Sequence, residues 1–123
     1  MATNRFLSGS LLFLCSCVSA LAADDGWQQR DARMRKTKYY FVEFCMKVGP
    51  AQTLQVELDT PYAVDFNIHS HTEKGTLFPV RETVEGERAF EIVADEGGDY
   101  CVMFKNPENR TEAFVVRTRY RIR

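Results

Sequence analysis

Residues 62–71 read YAVDFNIHSH, and their pattern decides the fold. Tyr62, Val64, Phe66 and Ile68 alternate with Ala63, Asp65, Asn67 and His69. A period of two sends each set to its own face of an extended chain, so the stretch reads as a strand with one buried and one wetter row. Residues 97–106, GGDYCVMFKN, repeat the pattern: Tyr100, Val102 and Phe104 form the apolar row, and Cys101 and Met103 point the other way. The two stretches are expected to pair at the centre of an antiparallel β-sandwich.

Working outward, the alternation recurs on both sides. From Thr37 onward, Tyr40, Val42, Phe44, Met46 and Val48 alternate with Tyr39, Phe41, Glu43, Cys45 and Lys47, until Gly49-Pro50 ends the strand. Leu54, Val56 and Leu58 form a second apolar row, and Asp59-Thr60-Pro61 reads as the turn into residues 62–71. After Glu73-Lys74-Gly75, residues 76–81 make a strand that Pro79 assigns to an edge. Glu85-Gly86-Glu87 reads as a turn before a strand at 89–93, and Asp95-Glu96-Gly97-Gly98 as another. Asn106-Pro107-Glu108-Asn109 leads to the last strand, where Phe114, Val116, Tyr120 and Ile122 oppose Val115, Arg117, Arg119, Arg121 and Arg123. Seven strands about ten residues apart, with turn residues between them, are the sequence pattern of an all-β antiparallel sandwich. Residues 23–36 are polar, with Trp27 and Met34 as the large apolar exceptions, and read as a short helix or a mobile segment ahead of a domain at 37–123.

The first 22 residues have a different character. Arg5 supplies a positive charge, residues 6–18 are apolar or small, and Ala20-Leu21-Ala22 has the small-x-small form of a cleavage site. This is a signal peptide by its pattern, and it is too short for a comfortable membrane span. An exported protein, periplasmic or secreted, is therefore expected. Its removal takes Cys15 and Cys17 away and leaves Cys45 and Cys101, an even pair that one disulfide would satisfy in an oxidising compartment. The loop so closed exceeds fifty residues, and closing it is worth on the order of 4 kcal/mol in the chain-entropy model.

The whole chain has a formal net charge of −1. The charge is placed unevenly: basic from Arg30 to Lys38, acidic from Glu82 to Asp99, basic again from Arg117 to Arg123. Such a balance does not call for nucleic acid.

A strand ending in aliphatic-D-F-x-I, then an acidic stretch, then G-x-Y-x-x-x-F-x-N resembles the GOLD domain. The residues that carry the resemblance are Val64, Asp65, Phe66 and Ile68, followed by Gly98, Tyr100, Phe104 and Asn106. The GOLD domain is a β-sandwich of eukaryotic secretory cargo receptors and of some lipid-transfer proteins. In the receptors a cysteine usually precedes the Phe-x-Asn, where this chain has Met103. The chain is more similar to small exported bacterial GOLD-like proteins, and the resemblance implies the sandwich fold without a particular activity.

Three groups of residues are candidates for chemistry. His69 and His71 share a strand face, and Cys101 with Met103 make a second such pair on the strand placed nearby. Two imidazoles, a thiolate and a thioether are a blue-copper ligand set, but a Cys45–Cys101 disulfide would consume the thiolate. The expectation is surface histidines and no cofactor, with copper held by His69, His71 and Met103 as the alternative. The row Arg117, Arg119, Arg121 and Arg123 reads first as a charged edge that blocks strand-to-strand aggregation. Its second reading is a contact for an anion, an anionic lipid headgroup or an acidic partner. Asn109-Arg110-Thr111 fits the glycosylation sequon, which matters only in a eukaryotic source.

Catalysis finds no constellation. Ser70 is the one serine after the leader, it lies on the opposite strand face from its flanking histidines, and no phosphate-binding glycine loop is present. These readings converge on an exported, non-catalytic binding module whose partner is an unidentified protein or small ligand.

Overall fold

The computed structural model describes residues 25–123; the signal peptide expected at 1–22 lies outside them. Among the described residues there are seven strands and no helix: β1 Gln28–Gln29, β2 Ala32–Met34, β3 Phe41–Val48, β4 Gln52–Thr72, β5 Gly75–Ala94, β6 Gly98–Lys105 and β7 Phe114–Ile122. All pairings are antiparallel. The sheet runs β1-β7-β4-β6-β3, with β2 also on β7 and β5 also on β4.

β4 organises everything else. Over 54–59 it pairs with β7, over 65–70 with β6, and along nearly its whole length with β5. The expected central pair is present, with Phe66 opposite Phe104. Leu54, Val56, Leu58, Thr60, Val64, Phe66 and Ile68 form one continuous inward row on β4, each at most 4% exposed. The sheet curls so that its two halves meet across this row. Phe44 of β3 lies 5.9 Å from Tyr120 of β7, although those two strands are not paired, and Phe66 stacks at 4.9 Å on Phe90, eight residues along β5 from its strand partner Glu82.

Two expected turns do not exist. Asp59-Thr60-Pro61 and Glu85-Gly86-Glu87 lie inside β4 and β5, so four anticipated strands are two long ones. Thr60 pairs with Gly86 and Val64 with Val84, which leaves residues 61–63 opposite Glu85 alone. Such a bulge absorbs a proline and bends the hairpin without ending it. Gly86, with φ of +76°, supplies the backbone freedom on the partner strand. Pro79 does sit on an edge, because among the described residues β5 pairs only with β4.

The polar segment before Thr37 also differs from expectation: it supplies β1 and β2. Ala32 and Met34 are buried while Arg33 between them is exposed. These two short strands cover the outer side of β7. The arginine row therefore does not mark a sheet edge, since β7 has β4 on one side and β1 and β2 on the other.

Candidate functional site

Alternation on β3, β6 and the second half of β4 builds a face in rows. Cys45, Cys101 and His69 are consecutive partners across the three strands. The next row is Glu43, Met103 and Asn67, continuing to Arg81 of β5. The third is Phe41, Lys105 and Asp65, continuing to Thr83.

The expected disulfide is formed between Cys45 and Cys101, whose Cα atoms are 4.0 Å apart. Cys45 is exposed and Cys101 buried, so the bond has one side toward solvent. His69 and His71 lie together, ring centroids 5.0 Å apart. They differ sharply in environment: His71 is exposed, whereas His69 is only 5% exposed although it belongs to the outer face. Phe78 covers it at 5.6 Å. Both His69 ring nitrogens are engaged, Nε2 with Glu43 Oε2 at 3.1 Å and Nδ1 with Asn67 Oδ1 at 2.6 Å. Met103 shares the face but stands opposite Asn67, one row away from His69. The copper set is thus on one face, with one imidazole already committed to two oxygens.

Beside the histidines a groove of about 310 Å³ is lined by Asp65, Asn67, Phe78, Arg81, Met103 and Lys105. Glu82 also lines it, so acids and bases share the groove, and aromatic rings with cations over them stand at its two sides. Arg81 lies over the Phe78 ring at 4.8 Å, and Phe78 is 44% exposed. On the Lys105 side stand Tyr39 and Phe41, 62% and 56% exposed, with Lys38 and Lys105 4.9 and 5.9 Å from the Tyr39 ring centre.

Tyr39 adopts φ of +71°, a conformation uncommon for a residue with a side chain. Its neighbours hold it there. Tyr39 N donates to Asn106 O at 2.7 Å, Asn106 N donates to Tyr40 O at 2.9 Å, and Lys38 N donates to Asn109 Oδ1 at 2.9 Å. Asn106 is fully buried and its Nδ2 donates to Arg35 O. The asparagine that ends the G-x-Y-x-x-x-F-x-N motif therefore anchors the loop that presents Tyr39.

The arginine row lies on the other half of the sheet, over β4 and β5. Arg119 makes two contacts to Glu57 Oε1, from Nε at 2.8 Å and Nη2 at 2.6 Å, and Arg121 Nε donates to Gln55 Oε1 at 2.5 Å. Both guanidinium groups also sit over Trp27, at 4.3 and 4.5 Å. Arg117 lines a larger cavity of about 500 Å³ with Glu57, Asp59, Glu87 and Arg88, where acids and bases alternate. The middle of the row is thus occupied in holding β1 down.

The linear pattern did not mark Glu43, Asn67, Tyr39 or Asn106 as partners in one site. The available signal was positional: Glu43 and Asn67 each precede a site residue by two and so share its face.

No family model and no curated protein matches the chain. Solved structures do. One is Aeromonas hydrophila PliG, a periplasmic lysozyme inhibitor of g-type lysozyme, at a TM-score of 0.62 and 14% identity over 80% of this chain and 87% of that one. Another is a protein of Sulfurospirillum deleyianum, at a TM-score of 0.50 and 10% identity over 76% of this chain and 97% of that one. At these identities the likeness is one of fold.

Proposed function

We propose that this chain is an exported, non-catalytic binding protein that engages a protein partner through the face built by β3, β6 and β4. The observation that carries the reading is the exposed Tyr39, Phe41 and Phe78 around a groove with polar groups at its base. Aromatic side chains this exposed are costly in water unless something covers them, and tyrosine is a frequent anchor of protein interfaces. The backbone at Tyr39 is also fixed before any partner arrives, which spares the backbone part of the ordering entropy on binding.

The charge of the rim narrows the partner. Lys38, Lys105 and Arg81 lie over the exposed aromatic rings, with Asp65 and Glu82 in the groove between them, so acidic groups on the partner are the complement of the rings' surroundings. Glycan-cleaving enzymes carry such groups in their clefts, because their chemistry needs a pair of carboxyl groups. The shared fold with an inhibitor of g-type lysozyme supports the same choice, and with it a periplasmic location. The GOLD resemblance is kept as a resemblance of sequence pattern, carried by Val64, Asp65, Phe66 and Ile68 with Gly98, Tyr100, Phe104 and Asn106.

Calorimetric titration against a g-type lysozyme, with lytic activity followed in parallel, tests this function. Binding with inhibition is expected, and Tyr39→Ala with Phe41→Ala should weaken it about tenfold or more. Absence of binding would remove lysozyme as the partner. Undiminished binding by the double variant would move the interface to another face.

A further inference from the structure

The row containing the disulfide also contains the makings of a second site. We propose that reduction of the Cys45–Cys101 bond converts this row into a metal site, in which both thiolates and the imidazoles of His69 and His71 hold one zinc-like divalent ion.

Proximity is the first support. The nearest ring nitrogens of His69 and His71 and the Sγ of Cys101 all lie within 4.8 Å of one another, and Cys45 Sγ is bonded to Cys101 Sγ. A tetrahedral ion with bonds of about 2.0–2.3 Å needs donors roughly 3.3–3.8 Å apart, so side-chain rotation of about an ångström brings these three together, and Cys45, freed from its bond, swings further to complete the set. Two thiolates with two imidazoles are also a ligand set that selects zinc geometry over calcium or magnesium.

The fold would keep the donors together once the bond is open. Cys45 and Cys101 face each other within a ladder that runs unbroken from Phe41 opposite Lys105 to Val48 opposite Gly98. Cys101 and His69 are themselves direct partners on β6 and β4. Cys45 and His71 are exposed, giving a reductant and an ion a way in, while buried Cys101 and His69 form the floor.

Outer bonds are already in position. His69 contacts Glu43 through one nitrogen and Asn67 through the other. Ligation takes one nitrogen, and the remaining contact orients the ring, as the outer partners of metal-bound histidines do.

The chemistry balances. A dithiol reductant gives two electrons and two protons to the disulfide, yielding two thiols, and becomes a disulfide itself. The divalent ion then displaces both thiol protons, leaving the metal and its two thiolates with no net charge. In the oxidised chain the imidazoles stand without thiolates, so metal affinity follows redox state. The ligand set is distinct from the copper alternative, which uses Met103 and leaves the disulfide intact.

The test is a Co²⁺ titration of the mature chain with back-titration by Zn²⁺, before and after anaerobic reduction with a phosphine. One ion per reduced chain is expected, with thiolate-to-cobalt charge-transfer absorption and two thiols shielded from alkylation by Zn²⁺. Binding by the oxidised chain should be at least about a hundredfold weaker, and reduced His71→Ala about tenfold weaker or more. His71 is chosen because its exposed side chain can be removed without threatening the fold. Equal binding before and after reduction, absence of the thiolate band, or unaltered affinity in His71→Ala would each overturn the proposal. So would loss of the far-ultraviolet β signal on reduction in the presence of Zn²⁺, because the strand ladder would then not be holding the cysteines together.

Discussion

The Nε2 of His69 lies 3.1 Å from Oε2 of Glu43 even though a whole strand, β6, separates the strands that carry them. The contact passes over the outer surface of β6, where Cys101 and Met103 are the respective strand partners of the two residues. It ties the edge strand β3 to the central strand β4 beside the disulfide.

The two histidines should accordingly behave differently. His69→Ala removes a buried ring with two polar contacts and is expected to cost about 1–3 kcal/mol. His71→Ala should stay within about 0.5 kcal/mol of wild type, as exposed changes usually do. Urea unfolding of both variants decides the matter, and equal costs would contradict the assignment of His69 as the buried partner.

Thr118 offers a change in the opposite direction. It is 1% exposed, its backbone N donates to Asp31 Oδ1, and its Oγ1 has no hydrogen-bond partner among the described residues. Thr118→Val keeps the branched shape and ends the burial of a lone hydroxyl, for an expected gain of about 1 kcal/mol. A thermal melt should move up by several degrees; a fall would mean that the hydroxyl is bonded.

Replacing Arg119 and Arg121 by Gln should loosen the N-terminal arm. Trp27 loses both cations over its ring, so its fluorescence is expected to shift red as water reaches it. The stability loss should be modest, about 1 kcal/mol, because the Arg119–Glu57 pair is half exposed. Unchanged emission would show that the two strands of the arm hold Trp27 without them.

Tyr62 carries a pH prediction. Its hydroxyl donates to Glu112 Oε1 at 2.9 Å, and that hydrogen bond, reinforced by the carboxylate charge, raises the phenol above its ordinary 10.0. The bond favours the neutral phenol, so its contribution is complete below pH 10.0 and fades as pH climbs through the raised value. Ultraviolet titration should find that Tyr62 ionises above the ordinary 10.0, and Glu112→Gln should bring it down. Identical titration curves for the two proteins would refute the coupling.

What could be read in advance follows physical lines. The inward rows of β3, β6 and β7 were legible because period-two alternation over eight or nine residues leaves little room for another reading. The disulfide was legible because Cys45 and Cys101 are the two cysteines outside the expected leader. Pro61 misled, since the residues that make a turn also make a bulge, and only the pairing of Thr60 with Gly86 separates the two. β1 and β2 were hidden because strands of two and three residues have no period to detect. His69 was placed on the correct face, but its burial comes from Phe78 and Glu43 on other strands, which local alternation does not report.

The bend at residues 61–63 has a consequence for the way the molecule opens. β4 is flanked on both sides over 54–59, between β5 and β7, and again over 65–70, between β5 and β6. Neither half of the sheet can come apart without freeing a strand whose other end is still built into its neighbour. Local fluctuations should therefore be confined to β1, β2 and the open side of β5, while the paired amides of β4 on both sides of Pro61 exchange their hydrogens at one common, slowest rate set by global unfolding. Two distinct rates, one for each end of the strand, would mean that the bend is a seam.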